Sequence, residues 1–322
     1  MLETVRPVDM REIEEARTRL ADLSVSTPLV RWDEGPPAKQ LRLKLENLQT
    51  VGCFKIRPIG NAVLSRPAAS LADGIYTTSS GNSAVAVAHM AQRLGIRATA
   101  VVPENAPETK LARLRQLGAG IDVRPAAAWW RAIETGTLPD LAGVYIDAVR
   151  DRASLAGDAT IGVEILEAWP DVEAILVPFG GGGLACGIAC AVRALAPSVK
   201  IVACELESAQ PLAAAFRAGK PVEVAHAAGF VSGVGYGMVL PEMWPLLESC
   251  IDEVLTVPLA EVARAIRELA MRAHIVAEGA GALPVAAALA GHYPERNVCA
   301  VVSGGNIDAR LLAAILDERP AG

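Results

Sequence analysis

Aromatic side chains are scarce: Phe, Trp and Tyr together make up 4% of these 322 residues. A β-sandwich built on aromatic pairs is a poor match. Alanine, valine, leucine and glycine instead suit helices packed closely on a sheet. Paired cysteines are absent too. Cys53, Cys186, Cys190, Cys204, Cys250 and Cys299 stand apart with no C-x-x-C spacing, and the four histidines are dispersed. A disulfide framework or zinc site needs clustering, so no metal is expected. Scattered thiols point to a reducing cytoplasm. Basic charge is not in excess: the net charge is −6 and the pI near 5.4, which argues against nucleic acid as a partner. Met1 to Arg11 is charged and has no signal-peptide core. The longest uncharged run, Ala174 to Val192, is interrupted by Pro178 and four consecutive glycines. It reads as strand, turn and helix, so no membrane span is expected.

What is present is a recurrent alternation of strands and helices. Asp9 and Glu12 form a capping box for a helix through Leu20. Leu41 to Glu46 alternates strictly and predicts a strand with one wet face. Ile59 to Leu64 predicts a helix. Strands are expected at Gly74 to Thr78, Ala98 to Val102, Ile121 to Arg124, Ala174 to Pro178, Lys200 to Cys204 and Asn297 to Val302. Helices are expected at Ala84 to Leu94, Glu108 to Leu117, Ile161 to Trp169, Leu184 to Leu195, Ala260 to Arg272 and Ala282 to Leu289. That spacing predicts an α/β chain of parallel sheets with crossover helices.

Four segments carry candidate chemistry. Lys55 lies between Phe54 and Ile56, just after Gly52. Apolar neighbours disfavour the charged amine and make it a nucleophile suited to an aldehyde cofactor. The plainer account is a surface lysine with its stem on Phe54. Gly180 to Gly183 leads from a strand into a helix, where free N–H groups and the helix dipole attract phosphate. Ser79-Ser80-Gly81-Asn82 precedes another helix and offers hydroxyls and amides to a carboxylate, or simply caps that helix. Ser303-Gly304-Gly305-Asn306 follows the last strand and has the same two readings. In an open parallel sheet such turns converge at the carboxyl ends of strands. The glycine run also loosely fits a dinucleotide fingerprint, Gly180-x-Gly182-x-x-Ala185 with Glu205 beyond. That would make a nicotinamide-dependent oxidoreductase, but it leaves Lys55 and Asn82 without a task.

As an ordered set these motifs resemble the threonine/serine dehydratase branch of the pyridoxal-phosphate enzymes. The set comprises Thr27-Pro28-Leu29, Lys44-x-Glu46-x-x-Gln49, Phe54-Lys55-x-Arg57, Ser80-Gly81-Asn82, the tetraglycine, Glu205, Glu278-x-x-Gly281 and Ser303 to Asn306. The resemblance spans nearly the whole chain. It implies the fold type II (tryptophan-synthase β-like) architecture of two open parallel-sheet domains with flanking helices. Residues 1–72 and 148–322 would form a large cofactor-binding domain, and 73–147 a small domain closing over the substrate. It further implies that Lys55 forms the Schiff base with pyridoxal 5'-phosphate and that Phe54 packs on the ring. Asn82 would meet the ring hydroxyl and Gly180, Gly181, Gly182 and Gly183 the phosphate. Ser303 would meet the ring nitrogen, with Glu278 nearby. Ser79, Ser80, Gly81 and Asn82 would hold the substrate carboxylate. A homodimer acting on a free amino acid is implied as well.

The activity implied is β-elimination from a β-hydroxy L-amino acid to a 2-oxo acid and ammonia. Ser80 as a second base would instead give a racemase. A β-replacement synthase and a chain that only binds amino acids are further readings. The chain departs from the family's usual pattern at Cys53, Pro58-Ile59, Ser83 and Ile146 to Arg150, which points to a bulkier or more polar substrate than threonine. Pro211 stands where some relatives place an aspartate that holds a cation with the glutamate matching Glu205. Little chain follows Ser303, so a catabolic role without a regulatory domain is expected.

Overall fold

Two sheets organise the chain in the computed structural model, which describes residues 3–32, 40–225, 229–291 and 293–318. Chain order runs α1 (Met10–Leu20), β1 (Leu29–Trp32), β2 (Gln40–Lys44), α2 (Ile56–Leu64), β3 (Ile75–Thr77) and α3 (Asn82–Leu94). Next come β4 (Ala98–Pro103), α4 (Glu108–Gln116), β5 (Gly120–Arg124), α5 (Ala126–Thr135), β6 (Val144–Tyr145) and α6 (Arg152–Ala168). Then follow β7 (Ala174–Pro178), α7 (Gly183–Leu195), β8 (Lys200–Leu206), α8 (Pro211–Ala218), α9 (Trp244–Cys250) and β9 (Glu253–Val257). The chain ends with α10 (Leu259–Arg272), α11 (Gly279–Ala290), β10 (Asn297–Val301) and α12 (Ala309–Leu316). The capping box at Asp9 is present, with reciprocal bonds to Glu12 of 2.9 Å each.

The larger sheet has the order β1-β2-β10-β7-β8-β9 and the smaller one β5-β4-β3-β6. Every pairing is parallel except β1 with β2, which are antiparallel at the sheet's edge. Strand residues alternate between two cores. Ile175, Val177, Ile201, Ala203 and Val301 face α6, α7 and α9, while Ala174, Leu176, Val202, Val298 and Ala300 face α10 and α11. A sheet covered on both faces needs apolar residues on both, and these strands supply them. A third core joins the smaller sheet to Leu20, Leu23, Val51, Cys53, Ile56 and Ile59.

The same coverage corrects one expectation. The strand β2 is not wet along the expected face beyond Gln40: Arg42 is half-buried 4.2 Å from the Trp169 ring centre and Lys44 is buried. Lys44 is neutralised by Glu164 of α6 and donates to the Thr27 carbonyl at 2.8 Å. Helix α6 also begins earlier than expected, at Arg152, because Asp151 accepts from the Ala153 amide and caps it.

Candidate active site

Beneath the lysine segment lies a buried ionic network. The Arg57 guanidinium donates to both oxygens of Glu46 at 2.9 Å, to Glu164 at 2.7 and 2.9 Å, and to Thr160 at 3.1 Å. Thr27 donates to Glu46 at 2.6 Å, and Gln49 to Glu46 at 3.2 Å and to the Val25 carbonyl at 2.7 Å. Burial alone would lower the guanidinium pKa, but the two glutamates outweigh it and raise it. Burial likewise opposes ionisation of Glu164, yet its bonds from Arg57 and Lys44 hold it below the usual range. Thr27, Lys44, Glu46, Gln49 and Arg57 are therefore one scaffold, and it fixes the backbone on either side of Lys55.

The other clamp on that segment comes from Asn306. Its Nδ2 donates to the Val51 carbonyl at 3.0 Å and to Asn82 Oδ1 at 2.7 Å. Gly52 sits at φ +75°, where a Cβ would lie 2.6 Å from Asn306 Oδ1. Ser303 to Asn306 is thus a tie rather than a helix cap, since Asp308 caps α12. Cys53 bridges to Gly304, and the Ser303 carbonyl accepts from the Phe54 amide at 2.9 Å.

Lys55 Nζ stands 4.5 Å from the Phe54 ring centre and hydrogen-bonds no described residue. Burial lowers its pKa, against the opposing pull of Asp158. It opens on a cavity of about 960 Å³ whose wall includes Phe54, Ser79 to Asn82, Gly180 to Gly183, Glu278 and Ser303. The four segments singled out from sequence as carrying candidate chemistry therefore meet in one place. The smaller sheet contributes the turn after β3, and the larger one the turns after β7 and β10.

The helix starts are bare. Neither α3 nor α7 has a side-chain cap, so the plain capping account of Ser79 to Asn82 does not hold. Ser79 Oγ instead accepts from the Gly81 amide at 3.1 Å. The Asn82 amide donates to Glu278 at 2.6 Å, which leaves one Nδ2 hydrogen uncommitted. Burial pushes the Glu278 carboxyl up to about 7. At the tetraglycine, the amides of Gly180, Gly181 and Gly182 donate to no described residue. A Cβ on Gly180 would collide with the Gly233 carbonyl, one on Gly181 would lie 2.9 Å from Val149, and one on Gly183 2.9 Å from the Ala148 carbonyl. Gly182 takes φ +94° to make the turn.

Two groups of residues gain a role that the sequence did not reveal. Asp147 accepts from the amides of Val149 and Arg150 and from Arg150 Nε at 2.7 Å, a turn that props Ala148 and Val149 under the glycines. The Asp-x-x-Arg spacing was its signal. The loop from Val231 to Leu240 covers Gly180 and reaches the smaller sheet's helices: Ser232 accepts from Lys110 at 3.0 Å, and Tyr236 lies 6.4 Å from Trp130. Pro58 and Ile59 do not line the cavity. They are buried in α2, whose start packs on Gly157 of α6.

Glu205 does not point at the glycine turn. Its oxygens accept from the amides of Leu212 and Ala213 at 2.8 and 2.9 Å, at the start of α8. Burial pushes its carboxyl up to about 7. It therefore cannot serve a ribose as the dinucleotide reading requires. Among the described residues no three His, Cys, Asp or Glu side chains group as metal ligands, and no helix is long and apolar enough to cross a membrane.

Substituting alanine for Gly180 is expected to weaken phosphate-bearing ligands by tenfold or more, about 1.4 kcal/mol. Isothermal titration with the cofactor or inorganic phosphate measures this, and unchanged affinity counts against the cradle.

The sequence profile described as "Pyridoxal-phosphate dependent enzyme" matches residues 21–304. The chain is 37% identical over 285 residues to an L-threonine ammonia-lyase of Geobacter sulfurreducens, covering 85% of this chain and 69% of that protein. It is 33% identical to a putative threonine dehydratase of Sinorhizobium fredii, covering 96% of each. Among solved structures, maize serine racemase superposes with a TM-score of 0.87 at 29% identity, over 97% of this chain and 98% of that one.

Proposed function

The chain belongs to the family of pyridoxal-phosphate dependent enzymes, and on that premise we propose that it turns a β-hydroxy L-amino acid into a 2-oxo acid and ammonia. It is a carbon–nitrogen lyase with pyridoxal 5'-phosphate as cofactor. The observation that carries the reading is the meeting of Lys55, the bare start of α3 and the glycine cradle on one cavity.

The residues present fit the cofactor. The open amides of Gly180 to Gly182 suit a phosphate. Ser303, buried beside Lys55's segment, suits a ring nitrogen. Phe54 would back the ring, with Asn82 and Glu278 at its edge. Bound there, the cofactor supplies an aldehyde for the substrate amine and a ring that accepts the electron pair left at Cα.

The chain does the rest. The start of α3, with Ser79, Ser80, Gly81 and Asn82, holds the substrate carboxylate on its orphan amides and dipole. Lys55, whose amine is neutral more readily than usual, removes the α-proton. Ser303 would meet the ring nitrogen without a charge, which would favour prompt departure of the β-hydroxyl. Water lost in that step is regained when ammonia is released. Residues 73–147 act as a small domain that closes over the substrate, and 1–72 with 148–322 act as the large domain that holds the cofactor.

Trp129, Trp130, Tyr236, Lys110 and Arg113 line the same cavity, which supports a substrate larger or more polar than threonine. Its kcat/KM is expected to exceed that for threonine by about tenfold, the worth of filling such a wall. A panel of β-hydroxy amino acids assayed for 2-oxo acid tests this, and threonine or serine as the best substrate rejects it. The likeness to maize serine racemase and the place of Ser80 on the cavity wall favour racemisation as a second reading. Chiral analysis of the residual substrate in the same assay separates the two.

Six buried thiols support a reducing cytoplasm. The family's usual pairing supports a homodimer, which the molar mass from light scattering tests.

A further inference from the structure

The few aromatic side chains of this chain gather in one place. Of four phenylalanines, five tryptophans and four tyrosines, Phe54, Trp129, Trp130, Tyr145, Phe230 and Tyr236 line the cavity. Phe54 and Phe230 also pack on the neighbouring cores. Trp129, Trp130, Tyr145 and Tyr236 belong to none of the three cores and are only half-buried. Large rings left half-bare in a cavity make a binding surface.

These rings form one wall. It begins at the glycine cradle with Tyr236, whose ring lies 3.3 Å from where a Gly180 Cβ would stand. The ring centre of Trp130 is 6.4 Å from that of Tyr236, and Trp129 is 6.2 Å from Trp130, with planes tilted by 35° and 45°. Trp129 Nε1 donates to the Val101 carbonyl of β4 at 3.1 Å, which fixes its indole. The wall ends at the carboxylate turn, where Tyr145 shares a hydrogen bond of 2.8 Å with Thr78, the residue before Ser79. Rings at such separations and tilts leave faces and edges for a further ring to meet. Arg150, which donates to the Ile133 and Glu134 carbonyls of α5, is neutralised by Asp147 at 2.7 Å and so offers no charge to an anionic side chain. Lys110 and Arg113 reach the cavity from α4 and are held by Ser232 and Asn306 at 3.0 and 2.8 Å.

With the substrate carboxylate at the start of α3 and its amine directed to the position of Lys55, the group carried on Cβ is what remains to meet this wall. Resting on the lyase reading above, we infer that this group is an aryl ring and that the substrate class is the β-aryl serines. Lys55 takes the Cα proton, and the Cβ–O bond breaks with its electron pair on oxygen, so that proton and hydroxyl leave as water. The electron pair of the Cα–H bond becomes a Cα–Cβ double bond conjugated with the ring. Water returns as ammonia departs. From β-phenylserine the products are phenylpyruvate and ammonia.

The test uses the cofactor-loaded enzyme. It is assayed for 2-oxo acid with β-phenylserine, threonine, serine and β-hydroxyaspartate. It is also titrated calorimetrically with L-phenylalanine, L-alanine and L-aspartate, which carry no β-hydroxyl. The kcat/KM for β-phenylserine should exceed that for threonine by about tenfold or more, and phenylalanine should bind about tenfold tighter than alanine. Trp130→Ala should lower the ratio of kcat/KM for β-phenylserine to that for threonine about tenfold, chiefly through KM, and Trp130→Phe should restore it. A fall for both substrates with an unmoved ratio marks Trp130 as merely structural and overturns the inference. Threonine or serine as the best substrate overturns it too. So does a preference for β-hydroxyaspartate and aspartate, which gives the cavity to Lys110 and Arg113. If Trp130→Ala does not fold, Tyr236→Leu takes its place with the same expected ratio, and the wild-type comparisons decide without either. Oxo acid from threonine with no advantage for β-phenylserine defeats this inference alone. No oxo acid from any of the four defeats the proposed function, and the phenylalanine titration then still decides what the wall binds.

Discussion

Lys55→Ala is expected to remove the visible absorption of the bound cofactor and to lower kcat by about 10³-fold or more, the scale of losing a nucleophile and general base together. Melting should show that the loss is chemical. The folded-state pKa of Lys55 is lowered, by burial. Such a lysine withholds stability from the fold as pH drops from its ordinary value, about 10.4, through its folded value. Without cofactor, the alanine variant should therefore melt no lower than wild type at neutral pH. If it melts well below wild type, or stays coloured and active, Lys55 is structural and the proposed function fails.

Arg57→Met is expected to act the other way, on the fold before the chemistry. The substitution keeps much of the volume but leaves buried Glu46 without its cation and Glu164 with Lys44 alone. Removing one partner of a buried ion pair costs about 3–5 kcal/mol. The deficit should depend on pH. In wild type the Glu164 pKa is depressed, so its stabilisation is present above the unfolded value of about 4.3 and is lost as pH falls through the folded value. In the variant the part that Arg57 supplies is already gone, and only Lys44 still holds Glu164 down. The gap between the two proteins should be widest at neutral pH and close toward acid. Urea unfolding across that range measures it, and a gap that is small or independent of pH contradicts the network.

The elements were legible where the pattern was local. The strands at 174–178 and 297–301 and the helices α3 and α7 follow from runs of apolar residues ended by or leading into glycine or proline, and α10 follows from its helical period. The helices α5, α8, α9 and α12 and the strands β6 and β9 are short or only partly buried, and their periodicity was too brief to read. Lys44 shows a deeper limit. Alternation with Arg42 argued for water on that side, and only the partner Glu164, 120 residues away, shows that the charge is buried. The site segments stood out because glycine marks each of them, and three follow directly on the strands β3, β7 and β10. What bound them together did not stand out, since Asn306 to Val51 and Arg57 to Glu164 are ties across distant parts of the chain.

The place of β10 has a consequence for how the protein is made. This strand lies between β2 and β7 and is the only described link from the β1–β2 hairpin to the rest of its sheet. It pairs residues 40–44 with residues 297–301. On a ribosome adding about 5–20 residues per second, the hairpin must wait roughly ten to fifty seconds for that partner. The smaller sheet draws its strands from residues 75 to 145 and meets no such delay. Throughout that interval β2 shows an unpaired edge with Leu41 and Leu43 uncovered, a surface that a nascent-chain chaperone would shield and that a crowded cell would otherwise aggregate.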